Sequence, residues 1–281
     1  MPHLAVTRRG WQNEHLAAFI LSRLAFVAHP AKIGDDVGTD FFCTFFEEVH
    51  QEGNDYLVPK NSVAIQIKSS GTSIDATKQI QYLIRLELPF FVGILDQEHS
   101  TLTIYSGEYL PILFSYRGIP TSLILQLVSH HDFGHDSYFD DLGNNSYRLR
   151  CPVVSTISAT TTPESLAEES LRLRKVASRI HANIASRTSG EYIFSVGADG
   201  QTPMIMAGSG SVQVFRDNFK KRLAEVFFNL IWIANNPNIQ LDIDECRFYE
   251  RIYDDMRRRE NDLPAYLVHV AELLKQRLNS T

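Results

Sequence analysis

The sequence predicts an α/β protein with a mixed β-sheet core flanked by helices, followed by a largely α-helical C-terminal region. The first 105 residues alternate amphipathic helical segments with short apolar runs, in the order α-β-β-β-α-β-β. From residue 158 onwards the apolar positions recur mainly at helical spacing. We therefore expect two regions, residues 1–157 with a core over 8–105, and residues 158–281.

The first element is an amphipathic helix, predicted over residues 10–25. Trp11 and Leu21 lie on its apolar stripe, and Glu14 lies on the same stripe. A carboxylate on a buried helix face must be paired, protonated or bound to a metal. The alternative is an acid near the helix start that is stabilised by the helix dipole or by neighbouring Arg8 or Arg9.

Two strands come next, and they carry the main candidate residues. Asp40 precedes the apolar run 41–46, and a second run, 63–68, contains Gln66 and Lys68. Gln66 and Lys68 share one face of their strand because side chains alternate with period two. Turn-forming residues between the runs predict an antiparallel pair, which would bring the three polar side chains to one end of a sheet.

Lys68 is a costly residue in an apolar strand. Its ammonium loses hydration there, so it needs a carboxylate, a phosphate or a lowered pKa. A metal-bound water that the amine helps to orient would also suit it. The alternative is that its side chain extends from the strand end into solvent.

The core is completed by a helix within residues 72–88 and by strands over 90–95 and 101–105. Residues 106–163 contain apolar segments around a polar loop, 129–146. Several histidines and aspartates lie in this loop, but their spacing matches no well-defined zinc pattern. We therefore interpret it as a solvated loop rather than a ligand cluster.

In the C-terminal region, the spacing of apolar residues predicts four helices. Thr162 and Pro163 mark the start of the first, which extends to about Arg187. A short strand, 192–196, precedes further helical segments at 215–235, 243–260 and 263–278. Each of the three basic clusters is interpreted as a solvated helix face rather than a nucleic-acid contact; they lie at 172–175, 220–222 and 257–259.

Composition limits the function classes. The net charge of −6 provides no general attraction to nucleic acid, so such binding would need a local basic patch. The three cysteines are far apart and form no C-x-x-C pair, which favours a reduced, cytoplasmic setting. We expect no signal peptide and no membrane-spanning segment.

The order of these polar residues resembles that of a known superfamily. A helix glutamate within Trp11-Gln12-Asn13-Glu14-His15 is followed by Gly38-Thr39-Asp40 and then by Gln66-Ile67-Lys68. This order is similar to that of the PD-(D/E)XK nucleases, and more narrowly to the restriction-endonuclease-like and Holliday-junction-resolvase-like domains of prokaryotes. The resemblance covers residues 8–105 and implies a restriction-endonuclease-like fold.

The resemblance also implies roles for these residues. Asp40, Gln66 and the Ile67 carbonyl would hold Mg²⁺ or Mn²⁺ with the help of Glu14, and Lys68 would orient the attacking water. Glutamine at position 66 departs from the usual glutamate, so Glu14 and Asp40 would have to supply the anionic charge. Ser69, Ser70 and Lys78 are candidate phosphate contacts, although a plain turn with a solvated lysine is favoured.

The leading hypothesis is a metal-dependent endonuclease acting on DNA, in its strongest form a prokaryotic anti-phage defence effector. The helical remainder would then serve homo-oligomerisation, a partner protein of the same defence system, or control. One alternative is a catalytically inactive scaffold with a nuclease fold that binds DNA or a protein partner. Another is a nuclease acting on RNA.

Overall fold

The computed structural model describes the chain outside residues 1, 31–37, 52, 130–136, 191, 197–202, 209–211, 237–238, 240–241, 261 and 279–281. Of residues 2–11, 192, 195–196, 203–208 and 212, only the backbone is described. The Arg8 side chain and the histidine-rich part of the 129–146 loop therefore lie outside the described residues.

Seven α-helices and eleven strands occur within the described residues. The helices are α1 (Pro2–Ser22), α2 (Ile80–Arg85), α3 (Leu110–Arg117), α4 (Pro163–Ser189), α5 (Val212–Ala234), α6 (Ile243–Arg259) and α7 (Ala265–Leu278). The strands are β1 (Ala25–Ala28), β2 (Phe41–Gln51), β3 (Asn54–Lys68), β4 (Ser73–Asp75), β5 (Phe90–Asp96), β6 (Thr101–Ser106), β7 (Ser122–Val128), β8 (Phe139–Gly143), β9 (Ser146–Ser158), β10 (Tyr192–Val196) and β11 (Pro203–Gly208).

Nine of these strands form one mixed sheet. Its order is β1-β2-β3-β5-β6-β9-β7-β4, and β8 also pairs with β9. The β3–β5 and β7–β9 pairs are parallel, and the other neighbouring pairs are antiparallel. Strands β10 and β11 form a separate hairpin. The expectation of an α/β fold with a mixed sheet flanked by helices and followed by C-terminal helices is confirmed.

Helices cover both faces of the sheet. On one face, α1 and α4 pack against Phe41, Ile65 and Ile67, and we call this the first core. On the other face, α2 and α3 pack against Ala64 and Val92, and we call this the second core. Because side chains alternate along β3, its buried end contributes to both cores.

The expected helix over 72–88 is only partly correct. Residues 73–75 form strand β4, which pairs with β7 and extends the sheet. A 3-10 turn over Thr77–Gln79 then leads into α2, which is only six residues long. The pairing with β7 competes with the helix here, and a sequence-local signal does not include that distant partner.

The chain divides into two compact units, Met1–Ser209 and Gly210–Thr281. This boundary lies well beyond residue 157, where the sequence suggested one, because α4 belongs to the first core through its buried face. The helix begins as expected, with the Thr162 hydroxyl accepting a hydrogen bond from the Ser165 N–H at 3.4 Å. The second unit consists of α5, α6 and α7 around their own apolar core.

No helix among the described residues is both long enough and apolar enough to cross a membrane.

Candidate functional site

The structure joins Asp40 directly to the strand that carries Gln66 and Lys68. Strands β2 and β3 are antiparallel, and Phe41 is opposite Ile65. The Asp40 N–H donates to the Ile65 carbonyl at 2.9 Å. In return, the Ile67 N–H donates to Asp40 Oδ2 at 2.5 Å. The carboxylate therefore lies beside the middle residue of the Gln66-Ile67-Lys68 segment, where the ribbon prediction expected it.

Gln66 and Lys68 lie on the same face of β3 as Ala64, which belongs to the second core. Gln66 is only 5% exposed, yet its amide has no hydrogen bond to another described residue. Lys68 is half-buried at the strand end and forms no ion pair within the described residues. A ligand or an ordered water at this position would form a hydrogen bond with the amide.

The backbone of Ile67 adds an oxygen to this group. In a β-strand, the N–H and C=O of one residue point to the same lateral side. Since the Ile67 N–H points to the Asp40 carboxylate, the Ile67 carbonyl also points to the side of β2. Carboxylate, amide and carbonyl oxygens are the hard ligands that Mg²⁺ prefers, so this donor set fits the ion by its chemistry.

The segment before Asp40 is held against α2. Gly38 has φ +82°, and a Cβ there would lie 2.9 Å from Gln79 Cγ. The Thr39 hydroxyl is hydrogen-bonded to the Tyr82 hydroxyl at 2.7 Å, and burial raises the Tyr82 pKa. Gly38 is thus required both by the positive φ and by the close contact. Tyr82 was missed at the sequence level because its partner lies 43 residues away.

Glu14 is on a helix that packs against the opposite face of the sheet. Its neighbours Ala17 and Ile20 are buried in the first core together with Ile65. Glu14 itself is half-exposed and has no hydrogen bond or ion pair with a described residue. Asn13 is 6% exposed, and its side-chain oxygen has no partner there.

The end of α1 that contains Glu14 nevertheless points to the Asp40 end of the sheet. Only residues 23–24 separate α1 from β1, and the two elements are in contact, so the helix runs back along the strand. Strand β1 ends at Ala28, opposite Phe42, which is two residues from Asp40. Glu14 lies eight residues before the helix end, a rise of about 12 Å. Glu14 and Asp40 therefore lie at the same end of the sheet. Glu14 belongs to a helix on the first-core face, whereas Gln66 and Lys68 lie on the second-core face.

A protein-only metal cage is absent from the described part of the chain. No group of three or more histidine, cysteine, aspartate or glutamate side chains is placed to hold an ion there. Any cation near Asp40 would have to use the Gln66 amide, the Ile67 carbonyl and waters in addition to carboxylates. Mg²⁺ commonly binds in this way, through one or two carboxylates and several waters.

The other sequence candidates are less organised. Ser69 and Ser70 follow β3 as exposed residues in a bend, and Lys78 is exposed in the 3-10 turn. All three basic clusters contain ion pairs: Arg174 contacts Glu47, the buried Lys220 contacts Glu260, and Arg257 contacts Glu272. Most members of the clusters are exposed, as expected for solvated helix faces, whereas Lys220 is buried.

Comparisons with known proteins add no information about the fold or the site. No protein-family model matches the chain, and neither a curated protein nor a solved structure matches it significantly.

Proposed function

We propose that this chain is a metal-dependent nuclease that hydrolyses phosphodiester bonds in DNA at the Asp40 end of β2 and β3. The observation that carries the proposal is the 2.5 Å hydrogen bond from the Ile67 N–H to Asp40 Oδ2. It holds an acid against a segment that contains the buried Gln66 and the half-buried Lys68. The resemblance to PD-(D/E)XK nucleases, which rests on the motif order, supports the same site.

The resemblance in motif order gives each residue a role. Asp40, the Gln66 amide and the Ile67 carbonyl would hold Mg²⁺ or Mn²⁺, with Glu14 adding a second carboxylate. A bound ion would supply charge neutralisation and a water of lowered pKa. Lys68 shares a strand face with Gln66, so its ammonium would donate a hydrogen bond to that water and orient it. Its positive charge would also stabilise the negative charge that develops on the phosphate in the transition state.

The decisive experiment is cleavage of plasmid DNA by the full chain with Mg²⁺ or Mn²⁺, comparing Lys68→Ala with the unchanged protein. We expect Lys68→Ala to lower the cleavage rate by about 10²–10³-fold, as for the removal of one preorganised donor to a developing charge. Lys60→Ala is the matched control. Lys60 lies on the same strand but is exposed and paired with Glu47 at 2.8 Å, so its loss should leave cleavage unchanged.

Equal cleavage by the Lys68→Ala variant would remove this assignment of the site. Cleavage that persists after chelation of divalent ions would show that the reaction does not depend on a metal ion. Matched DNA and RNA substrates in the same assay distinguish the two polymers, because the chemistry at Asp40 is common to both.

A second function is favoured by one specific observation. The position that resembles a metal-binding glutamate is the neutral Gln66, and no three-residue His/Cys/Asp/Glu cluster occurs among the described residues. Both features suit a nuclease-fold scaffold that binds DNA or a protein partner without cutting. Divalent-metal titration separates the two functions: complex formation without metal uptake or cleavage would select the scaffold.

A cytoplasmic role in anti-phage defence is the biological setting we propose for the nuclease. Its support is the resemblance to prokaryotic restriction-type enzymes. Phage challenge of cells that express the chain or its Lys68→Ala variant tests it. Protection lost with the variant supports the role, and equal plaque counts with and without the chain would contradict it.

A further inference from the structure

Strand β2 presents a row of side chains on the sheet face that carries Gln66. Its odd-numbered residues from 41 to 45 are buried in the first core, so its even-numbered residues point to the other face. These are Phe42, Thr44 and Phe46. Phe42 is opposite Ala64, a residue of the second core, and this confirms which face the row belongs to.

Strand β1 adds the most exposed aromatic ring of this face. Phe26 is opposite Thr44 in the β1–β2 pair, so both lie on the same face, and Phe26 is 64% exposed. Phe42 and Phe46 are its diagonal neighbours on β2, at about 7–8 Å. Both are half-buried, and Phe42 packs at the margin of the second core. The cover provided by α2 and α3 therefore ends near Phe42.

Two hydroxyl groups lie beside these rings. Thr44 is opposite Ser62 of β3, and Thr44 Oγ1 is hydrogen-bonded to Ser62 Oγ at 2.9 Å. A hydroxyl has one donor and two acceptor positions, so this bond leaves one O–H and several lone pairs for another group. We call Phe26, Phe42, Thr44, Phe46 and Ser62 the aromatic sheet face.

The aromatic sheet face is continuous with the Asp40 site. Phe42 is two residues from Asp40 along β2, a distance of about 7 Å. Phe26 is opposite Thr44, which is four residues from Asp40, or about 13 Å along the strand. A polymer bound at Asp40 and extended along β2 would therefore cross Phe42 first and Phe26 next.

From this arrangement we propose that the aromatic sheet face binds single-stranded DNA, with an unpaired base stacked on Phe26. The inference rests on the proposed nuclease function and names its substrate class, a strand with unpaired bases next to the cleaved bond. Aromatic side chains on an open sheet form base-stacking surfaces in nucleic-acid-binding domains. Serine and threonine hydroxyls bond to phosphate oxygens, and this role suits Thr44 and Ser62.

The chemistry of this surface selects an unpaired strand. In a duplex the flat sides of the bases are covered by their neighbours, so a ring on a sheet can stack only on a base outside the stack. Duplex binding depends largely on basic contacts to phosphates, and the net charge of −6 opposes it. Stacking on Phe26 does not depend on that charge. A protein on this face would obstruct the adjacent Asp40 site, whereas a DNA strand uses both.

Fluorescence anisotropy of labelled oligonucleotides with the full chain in EDTA tests the proposal without cleavage. We expect a DNA strand of about 16 nucleotides to bind about tenfold more tightly than the same strand in a duplex. Phe26→Ala should weaken this binding by about tenfold, and Phe26→Trp should retain it, because indole also stacks on bases.

Phe19→Ala is the matched control for the loss of an exposed ring. Phe19 is 54% exposed and lies on α1, which packs on the opposite face of the sheet. This variant should bind the strand like the unchanged chain. Urea unfolding confirms that each variant is folded.

Cleavage of the single strand with Mg²⁺ or Mn²⁺ adds a kinetic result. Phe26→Ala should raise KM by about tenfold and leave kcat nearly unchanged, because Phe26 lies far from the reacting atoms. Negative supercoiling favours strand separation, so a supercoiled plasmid remains a substrate, and a relaxed linear duplex should be cut more slowly.

Three results would overturn the proposal: equal binding of duplex and single strand, tighter binding of an RNA strand of the same sequence, or equal binding by Phe26→Ala and Phe19→Ala. The last is expected if a protein or a second copy of the chain covers this face. Failure of the nuclease proposal is distinguishable. Single-strand binding that depends on Phe26 without cleavage would support the aromatic sheet face and remove the nuclease. Metal-dependent cleavage that Phe26→Ala leaves unchanged would do the reverse.

Discussion

Replacement of Asp40 separates its structural role from its proposed metal-binding role. Its Oδ2 accepts the Ile67 N–H at 2.5 Å, and Ile67 is only 8% exposed. Asp40→Asn keeps an acceptor oxygen and loses only the charge, so we expect the free energy of unfolding to fall by about 1 kcal/mol. Asp40→Ala leaves the buried N–H without its partner, and the expected loss is about 1–3 kcal/mol.

The metal response should be absent in both variants. A ligand that binds only the folded state at about 100 times its dissociation constant stabilises that state by about 2.7 kcal/mol. We expect Mg²⁺ or Mn²⁺ at that level to raise the unfolding free energy of the unchanged chain by this amount. For Asp40→Asn the increase should be close to zero, although the variant is nearly as stable as the unchanged chain without metal.

Urea unfolding with and without the divalent ion measures both quantities on the same protein. Asp75→Asn is the matched control, because Asp75 also accepts a backbone N–H, that of Thr77 at 2.9 Å, but lies at an exposed turn. It should keep the full metal response. If Mg²⁺ stabilised Asp40→Asn as much as the unchanged chain, Asp40 would not be a ligand and the reasoning for the site would be refuted.

Two further predictions concern buried groups. Arg179 donates two hydrogen bonds, of 2.9 and 3.1 Å, to the carboxylate of the buried Glu108. Arg179→Met should therefore lower the unfolding free energy by about 2–3 kcal/mol. This value is discounted for solvent screening because the arginine is one-third exposed. Adding Glu108→Gln should recover part of this loss in urea unfolding, and a further loss would contradict the pairing. Burial raises the pKa of both Cys43 and Cys151 from 9.0 to about 12. The unfolded chain loses these protons first, so stability should fall as the pH rises from about 9 to 12. Cys151→Ala should flatten that fall, and an unchanged slope would argue against a buried thiol.

Much of the candidate site could be predicted because its signals are local. The bulky run after Asp40 and the alternating run ending at Lys68, with turn residues between them, predict an antiparallel ribbon. That ribbon alone places Asp40 beside Ile67, as the structure has it. Thr162 and Pro163 likewise predict the start of α4.

Other parts depend on partners distant in sequence. Strand β4 has three residues and is stabilised by β7, about fifty positions away. The hydrogen bond between Thr39 and Tyr82 joins the loop before Asp40 to a helix that the sequence predicted in a longer form. The placement of α4 on the sheet, which moved the boundary between the two units, is also a long-range packing decision.

By itself, the sequence determined the pair of strands around Asp40 and Lys68, most of the helices, which residues share a face within them, and that an acid precedes the strand paired with the Gln66-Ile67-Lys68 segment. Periodicity and turn chemistry are properties of neighbouring residues, so they are present in the chain before it folds. Only the tertiary structure decided that α1 packs on the face opposite Gln66 and Lys68, and that α5 and α6 contact each other through Phe227 and Tyr253. The physical reason is that burial is shared between segments, and the free energy of each packing depends on surfaces that no single segment contains.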